Sequence, residues 1–269
     1  MNALQATFRY ELRKSVTAGR VLWWFVLAAL PVAITLLSRW VQNQQAKELR
    51  PALDPDTLDS FWSLLLYVTV PCVSCAMSAL LTAGPAVATE LEQRSWIYLA
   101  TRPHGITWLL LGKFLVASVW AFTAATAGTL IAIALINAPH RTQILSGILT
   151  LAALSAPAYS AAYLLLGAIF PRRSMVFCVM YTGGVEVILG SFPAIINRIT
   201  VQFRLRSLLV QWLPLDDTIR NSPAMEYAVG TSSPTSHIVG IATLTLAFVI
   251  AAITLTRFRE FTSATETDL

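Results

Sequence analysis

The sequence predicts an all-α polytopic membrane protein with six transmembrane helices. Hydrophobic residues make up 56% of the 269 residues and charged residues only 12%, whereas soluble domains average about 45–50% and about 25%. Six separate stretches are each long and apolar enough to cross the roughly 30 Å of bilayer hydrocarbon. The segment before the first span and the loop between the second and third spans are instead predicted to form amphipathic helices.

The six predicted spans lie within one transmembrane domain that covers residues 1–269. They are residues 21–38, 61–83, 106–136, 144–170, 174–192 and 238–256. The net charge of +5 is distributed over many short loops, so it does not indicate a nucleic-acid-binding surface. All three cysteines lie inside apolar runs, which argues against a disulfide-stabilised scaffold.

Residues 1–20 precede the first span and are predicted to form an interfacial amphipathic helix. Apolar residues recur there every four positions, with basic residues beside that stripe, and such helices bind anionic lipid surfaces. A plain basic flank that only sets the topology is the alternative. Six spans place both termini on one side, and the basic residues favour the cytoplasm for that side because the short loop Pro171–Arg173 is doubly basic.

Residues 84–105 form the loop between the second and third spans, on the predicted cytoplasmic side. Charged residues alternate there with bulky apolar ones, and Pro85 and Pro103 are placed to open and close a helix. An amphipathic helix with exposed aromatic side chains is a candidate docking surface for a soluble partner. A helix that lies on the bilayer beneath its own bundle is the alternative.

Glu186 is the only acidic residue well inside a predicted span. A carboxylate at membrane depth is costly unless it is paired or hydrated, so it is a functional candidate. Two roles compete for it: it lines a substrate path, or it holds the outer helices through Arg198 or Arg204. We favour the second role. The outer segment that carries these arginines, residues 193–236, mixes apolar residues with arginine, and a surface loop with snorkelling arginines is its alternative interpretation.

The segment from Glu90 to Pro103, followed by Leu111-Gly112-Lys113, resembles the cytoplasmic signature of ABC-2 type permeases. That family pattern is roughly E-x-E-x-[GR]-T, then a Tyr-Leu-Leu-like run, then R-P, then G-K at the start of the next span. The matching residues are Glu90, Glu92, Arg94, Tyr98, Leu99, Arg102, Pro103, Gly112 and Lys113. Ser95 replaces the usual Thr, and His104-Gly105 departs from the basic residue that usually follows the Pro.

The resemblance implies that residues 84–105 contain a coupling helix that sits in a groove of a separate ATP-binding subunit. The implied coupling residues are Glu90, Glu92, Arg94, Trp96, Tyr98, Leu99, Arg102 and Pro103. The residues assigned to the substrate path or the outer gate are Glu186, Phe192, Arg198 and Arg204. The resemblance also implies re-entrant outer helices in residues 193–236, a second permease copy that is identical or paralogous, and the cytoplasmic membrane of a prokaryote.

These predictions favour the permease subunit of an ATP-driven ABC transporter that exports a hydrophobic or amphipathic substrate. Phe114 follows Gly112-Lys113 where a nucleotide-binding loop needs Ser or Thr, so ATP and magnesium are expected on the partner subunit. No catalytic residue, cofactor or metal site is expected on this chain. A membrane enzyme would need a catalytic set at membrane depth, and the sequence offers none. A passive channel or assembly scaffold without ATPase coupling is the alternative.

Overall fold

The computed structural model describes residues 3–47, 54–93, 104–189, 200–220 and 232–258. Helices account for 91% of these residues, and none of them forms a strand. The prediction of an all-α protein is therefore confirmed for the part of the chain that the structure describes.

The α-helices follow one another with few breaks. They are α1 (Ala3–Ser15), α2 (Ala18–Lys47), α3 (Pro55–Tyr67), α4 (Cys75–Ala83), α5 (Ala86–Glu92), α6 (Gly105–Leu135), α7 (Arg141–Ile169), α8 (Ser174–Met180), α9 (Val201–Trp212), α10 (Asp217–Arg220) and α11 (Pro234–Phe258). Two π-helical segments join this series: Val68–Ser74 connects α3 to α4, and Tyr181–Leu189 extends α8.

Five helical stretches within the described residues are long and apolar enough to cross a membrane. They are Ala18–Gln44, Pro55–Glu92, Gly105–Leu135, Arg141–Ile169 and Pro234–Phe258. Three of them contain a predicted span, and the stretches Gly105–Leu135 and Arg141–Ile169 each end one residue before the predicted end. The other predicted span, residues 174–192, coincides with α8 and its π-helical extension as far as Leu189, and its last three residues lie outside the described part. The number of six spans stays a prediction.

Two helices continue past the ends of their predicted spans. α2 ends at Lys47 rather than near residue 38, and the helical stretch of the second span ends at Glu92 rather than near residue 83. Both extensions contain Gln, Ala, Glu or Lys, which are good helix formers in water. Arg39 also connects the extension of α2 to the end of α6, because its Nη1 donates to the carbonyl oxygen of Leu135 at 2.5 Å.

α7 is the central helix of the bundle. It packs against α4, α6, α9 and α11, and 67% of its apolar window is buried, compared with 22% for α2 and 17% for α11. Its buried faces carry small side chains such as Ala152, Ser155 and Ala156, each of which is 0% exposed. Small residues allow neighbouring helix backbones to approach closely.

The chain that follows α4 passes close to the backbone of α7. A Cβ atom at Gly167 would overlap the carbonyl oxygen of Gly84, which belongs to the backbone and cannot rotate away. We expect Gly167→Ala to lower the free energy of unfolding by about 1–3 kcal/mol, measured by thermal unfolding in detergent. Gly183→Ala is the control, because a Cβ there meets no atom within 4 Å. An equal loss of stability in both variants would contradict the close approach.

Candidate functional site

A buried cluster of charged side chains joins α1, α5 and α6. Lys113 Nζ lies 2.9 Å from Glu90 Oε1 and 3.2 Å from Glu11 Oε2. Lys14 Nζ lies 3.0 Å from the same Glu90 oxygen and 2.9 Å from the side-chain oxygen of Gln93. Glu90 is 2% exposed and Glu11 is 6% exposed. Glu90 therefore connects a lysine of α1 to a lysine of α6.

This arrangement depends on α1 lying close against α6. A Cβ atom at Gly112 would stand 3.0 Å from Cγ2 of Thr7, so the small residue in the second turn of α6 permits the contact. Partial burial lowers the pKa of the Lys14 ammonium, but its hydrogen bond to Glu90 and the negative charge there outweigh that effect, so its pKa is raised overall. Buried charges of this kind persist only when each has a partner.

The other described end of the loop is also bound to a neighbouring helix. His104 precedes α6 and has φ 59°, in the left-handed region that non-glycine residues rarely adopt. Its Nδ1 lies 3.1 Å from Nη2 of Arg257, near the end of α11. The loop of residues 84–105 is therefore attached to α1 and α6 through Glu90, and to α11 through His104.

The structure divides the predicted coupling residues into three groups. The Glu90 carboxylate is buried and pairs with Lys14 and Lys113, and its role in coupling stays a prediction. Glu92 is exposed at the end of α5. The others lie outside the described residues and stay predictions: Arg94, Trp96, Tyr98, Leu99, Arg102 and Pro103.

Glu186 lies in the π-helical segment that extends α8 and is 3% exposed. Its Oε1 accepts hydrogen bonds from the Tyr181 hydroxyl at 2.7 Å and from the backbone N–H of Val201 at 3.3 Å. Its Oε2 accepts the backbone N–H of Gln202 at 2.8 Å. The carboxylate therefore binds the first turn of α9.

Thr200 completes the cap of that helix, because its side-chain oxygen accepts the N–H of Phe203 at 3.2 Å. The first N–H groups of a helix have no partner within the helix. Val201 is 1% exposed and Phe203 is 7% exposed, so these N–H groups need acceptors within the protein. Together, Glu186 and Thr200 satisfy the N–H groups of Val201, Gln202 and Phe203.

A network of polar side chains surrounds this cap. The Tyr159 hydroxyl donates to Gln202 Oε1 at 3.3 Å, and Gln202 Nε2 lies 3.3 Å from Cys72 Sγ. The Tyr163 and Thr182 hydroxyls lie 2.7 Å apart. Cys72 and Glu186 each belong to a π-helical segment, and such segments are frequent at functional sites.

The contacts of α9 define how far it extends along the bundle. Its first turn meets Cys72 and Tyr159, which lie near the middle of their long helical stretches. Its last residue, Trp212, accepts a hydrogen bond on its carbonyl oxygen from Gln143, in the first turn of α7, at 3.1 Å. Its 12 residues have a length of about 18 Å at about 1.5 Å per residue. α9 thus reaches from the middle of the bundle to one end.

Arg204 does not contact Glu186 in the described structure. Its guanidinium lies against Gly240 of α11, where a Cβ atom would overlap it, so Gly240 provides the space that the side chain occupies. The predicted role of Glu186 in holding the outer helices thus rests on backbone amides of α9 and not on Arg204. Arg198 and Phe192 lie outside the described residues.

The turn after α9 is hydrogen-bonded at the end of the bundle where α9 meets the first turn of α7. Ser60 Oγ accepts the N–H of Asp216 at 2.6 Å, and the buried Asp59 carboxylate lies 2.6 Å from His140 Nδ1. An acidic cavity of about 230 Å³ opens beside them. Among the described residues, no group of three or more His, Cys, Asp or Glu side chains has the geometry to hold a metal ion.

Sequence reasoning did not identify Glu11, Lys14, Tyr181 or Gln202 as members of these two sites. Glu11 and Lys14 appear in the sequence as part of a charged amphipathic helix, and Gln202 as one polar residue in a mixed segment. One signal in the sequence could have indicated the pairing: Glu11 is the acidic residue of α1, and Lys113 is the single lysine inside the third predicted span.

Comparison with known protein families, curated proteins and solved structures finds no match to the chain.

Proposed function

We propose that this protein is the permease subunit of an ATP-driven transporter, coupled to a separate ATP-binding subunit through residues 84–105. The observation that carries the proposal is the attachment of this loop to several helices. Glu90 pairs with Lys14 of α1 and Lys113 of α6, and His104 contacts Arg257 of α11. A force applied to the loop would therefore act on three helices at once.

The second support is the position of α9, which fits a re-entrant outer helix. It extends about half the thickness of a bilayer core of roughly 30 Å, and its N-terminus meets a buried carboxylate in the middle of the bundle. Transporters commonly place the ends of such half-helices near the bilayer midplane. Opening this end of the bundle would require α9 to leave Glu186 or to move together with it.

In the proposed mechanism, closure of two ATP-binding subunits displaces the exposed part of the loop. The buried ion pairs pass that displacement to α1 and α6, and the outer helices then separate. Two permease copies, identical or paralogous, enclose the path for a hydrophobic or amphipathic substrate that is exported. The signature residues from Glu90 to Pro103 support the assignment to ABC-2 type permeases.

The test is purification of the tagged protein from its own membranes in mild detergent, with assay of the co-purifying proteins for ATP hydrolysis. We expect a roughly stoichiometric soluble ATPase. Glu92→Lys is expected to weaken its retention by about tenfold, because a charge reversal on a docking surface opposes the partner's complementary charge. A preparation without any ATPase would favour a passive channel or an assembly scaffold.

Asp217→Lys is the matched control for this experiment. Asp217 is also exposed, but it follows the turn that is bound to Ser60, at the opposite end of the helical stretch that ends at Glu92. Its reversal should leave ATPase retention unchanged. Equal retention by the wild type and both variants would count against docking at α5.

A further inference from the structure

A cavity of about 320 Å³ opens beside the first turns of α2, near the charged cluster. Three tryptophans and an arginine dominate its walls. Its lining residues include Arg20, Trp23, Trp24, Leu27, Ser78 and Trp120. The volume lies within the range of small-molecule sites.

Two of the tryptophans hold the walls in place. Trp24 Nε1 donates to Thr123 Oγ1 at 3.1 Å, and Trp120 Nε1 donates to Ser15 Oγ at 2.8 Å. These bonds connect α2 and the end of α1 to α6. Side chains of α2, α4 and α6 line the cavity, so it is built into the packing of these three helices.

Two donors on the cavity wall remain available to a ligand. Arg20 makes no hydrogen bond or ion pair with any residue that the structure describes, and neither does the indole N–H of Trp23. Trp23 is 52% exposed, and the neighbouring Leu22 and Phe25 are 63% and 61% exposed. The cavity thus opens at a strongly apolar outer face of α2. This helix contains the candidate membrane span Ala18–Gln44.

The position of the cavity along the helices fits the boundary between water and hydrocarbon. Trp120 lies two turns further along α6 than Lys113, or about 10 Å at about 1.5 Å per residue. Tryptophan is enriched at that depth because its ring is apolar and its N–H is polar. A ligand here would meet a cation and an indole donor at one end and apolar side chains at the other.

We propose that this cavity binds an anionic phospholipid of the surrounding bilayer, with its phosphate at Arg20 and the start of its acyl chains against Trp23, Trp24 and Leu27. The charge of Arg20 selects an anionic headgroup over a zwitterionic one. The exposed apolar face of α2 continues the surface on which the acyl chains lie. This inference does not depend on coupling to an ATPase.

The experiment titrates the full-length protein in detergent with dioleoylphosphatidylglycerol or dioleoylphosphatidylcholine and counts bound lipid by native mass spectrometry. We expect the wild type to bind phosphatidylglycerol about fivefold more tightly, as one arginine near a membrane surface allows. Arg20→Gln should abolish that preference. Arg13→Gln, an exposed arginine of α1 outside the cavity, should keep it. An equal loss of the phosphatidylglycerol preference in both variants would contradict the proposal, because it would show that the lipid responds to diffuse surface charge and not to this cavity.

A second variant tests the cavity without removing charge. A Cβ atom at Gly19, on the cavity wall, meets no atom within 4 Å, so Gly19→Leu adds a side chain whose first atom has open space. It should reduce binding of both lipids and leave the melting temperature of the lipid-free protein unchanged. Wild-type lipid binding by this variant would overturn the proposal. Stabilisation by inorganic phosphate equal to that by phosphatidylglycerol would overturn the assignment to a lipid.

Discussion

Replacing Glu90 with alanine is expected to lower the free energy of unfolding by about 3–5 kcal/mol, the usual cost of removing one partner from a buried ion pair. Among the described residues, the variant leaves Lys113, whose side chain is 11% exposed, with Glu11 as its counter-charge. It also removes the charged partner of Lys14 on α5 and leaves that ammonium with the side-chain oxygen of Gln93, the residue after α5. The measurement is the melting temperature of the purified protein in detergent, followed by intrinsic fluorescence.

Glu92→Ala is the matched control, because Glu92 lies two residues further along the same helix and is exposed. Its effect should stay within about 0.5 kcal/mol. The double variant Glu90→Ala/Lys113→Ala should be more stable than the sum of the two single effects predicts, by about 1–3 kcal/mol, since the two residues interact directly. Additive effects, or equal losses in the Glu90 and Glu92 variants, would contradict the cluster.

Replacing Glu186 with alanine is expected to release the first turn of α9. The change removes the acceptor of the Tyr181 hydroxyl and of the N–H groups of Val201 and Gln202. Each buried donor left without an acceptor costs about 1–3 kcal/mol. The amides of this turn should then exchange with solvent about tenfold faster or more, since roughly 1.4 kcal/mol corresponds to a factor of ten. Hydrogen-exchange mass spectrometry of peptides covering residues 200–212 measures the change.

Two further variants separate the cap from general loss of structure. Glu186→Gln keeps one acceptor oxygen, so its exchange rate should lie between those of the wild type and Glu186→Ala. Gln211→Ala removes the hydrogen bond to the Ser232 carbonyl oxygen at the opposite end of α9 and should leave the first turn protected. Wild-type exchange in Glu186→Ala would show that other contacts hold the helix.

The positions of the long helices could be predicted from hydropathy. α6 and α11 begin and end within a few residues of the predicted spans 106–136 and 238–256. Such predictions succeed because the length of a membrane span depends on bilayer thickness, and its composition must be apolar throughout. Hydropathy does not predict the continuation of α2 to Lys47, since polar residues continue this helix beyond its apolar stretch.

The partners of the charged residues could not be predicted in the same way. Glu90 pairs with Lys14, 76 residues away in the sequence. In the sequence, Glu90 and Glu92 have the same local context, an acidic residue in an amphipathic loop. In the structure one is buried between two lysines and the other is exposed, because the rotation of α5 against α1 and α6 turns only one of them inward.

Glu186 illustrates the same division between local and tertiary information. Its position deep within an apolar run is enough to indicate a functional candidate, because an unpaired carboxylate in a membrane is costly. The arginines of the outer segment were the obvious counter-charges. The structure places the backbone amides of α9 at the carboxylate and Arg204 against Gly240, whereas Arg198 lies outside the described residues. Hydrogen bonds to backbone amides have no signature in side-chain composition.

Apolar composition is a property of consecutive residues, so it is sufficient to define an all-helical membrane protein and the approximate extent of its long helices. Helix packing decides which of the few charged side chains face inward, which helix N-terminus meets Glu186, and where a gap lined by tryptophan and arginine remains. These features depend on the relative rotation and depth of helices distant in the sequence. No local pattern specifies either quantity, so they follow only from the assembled bundle.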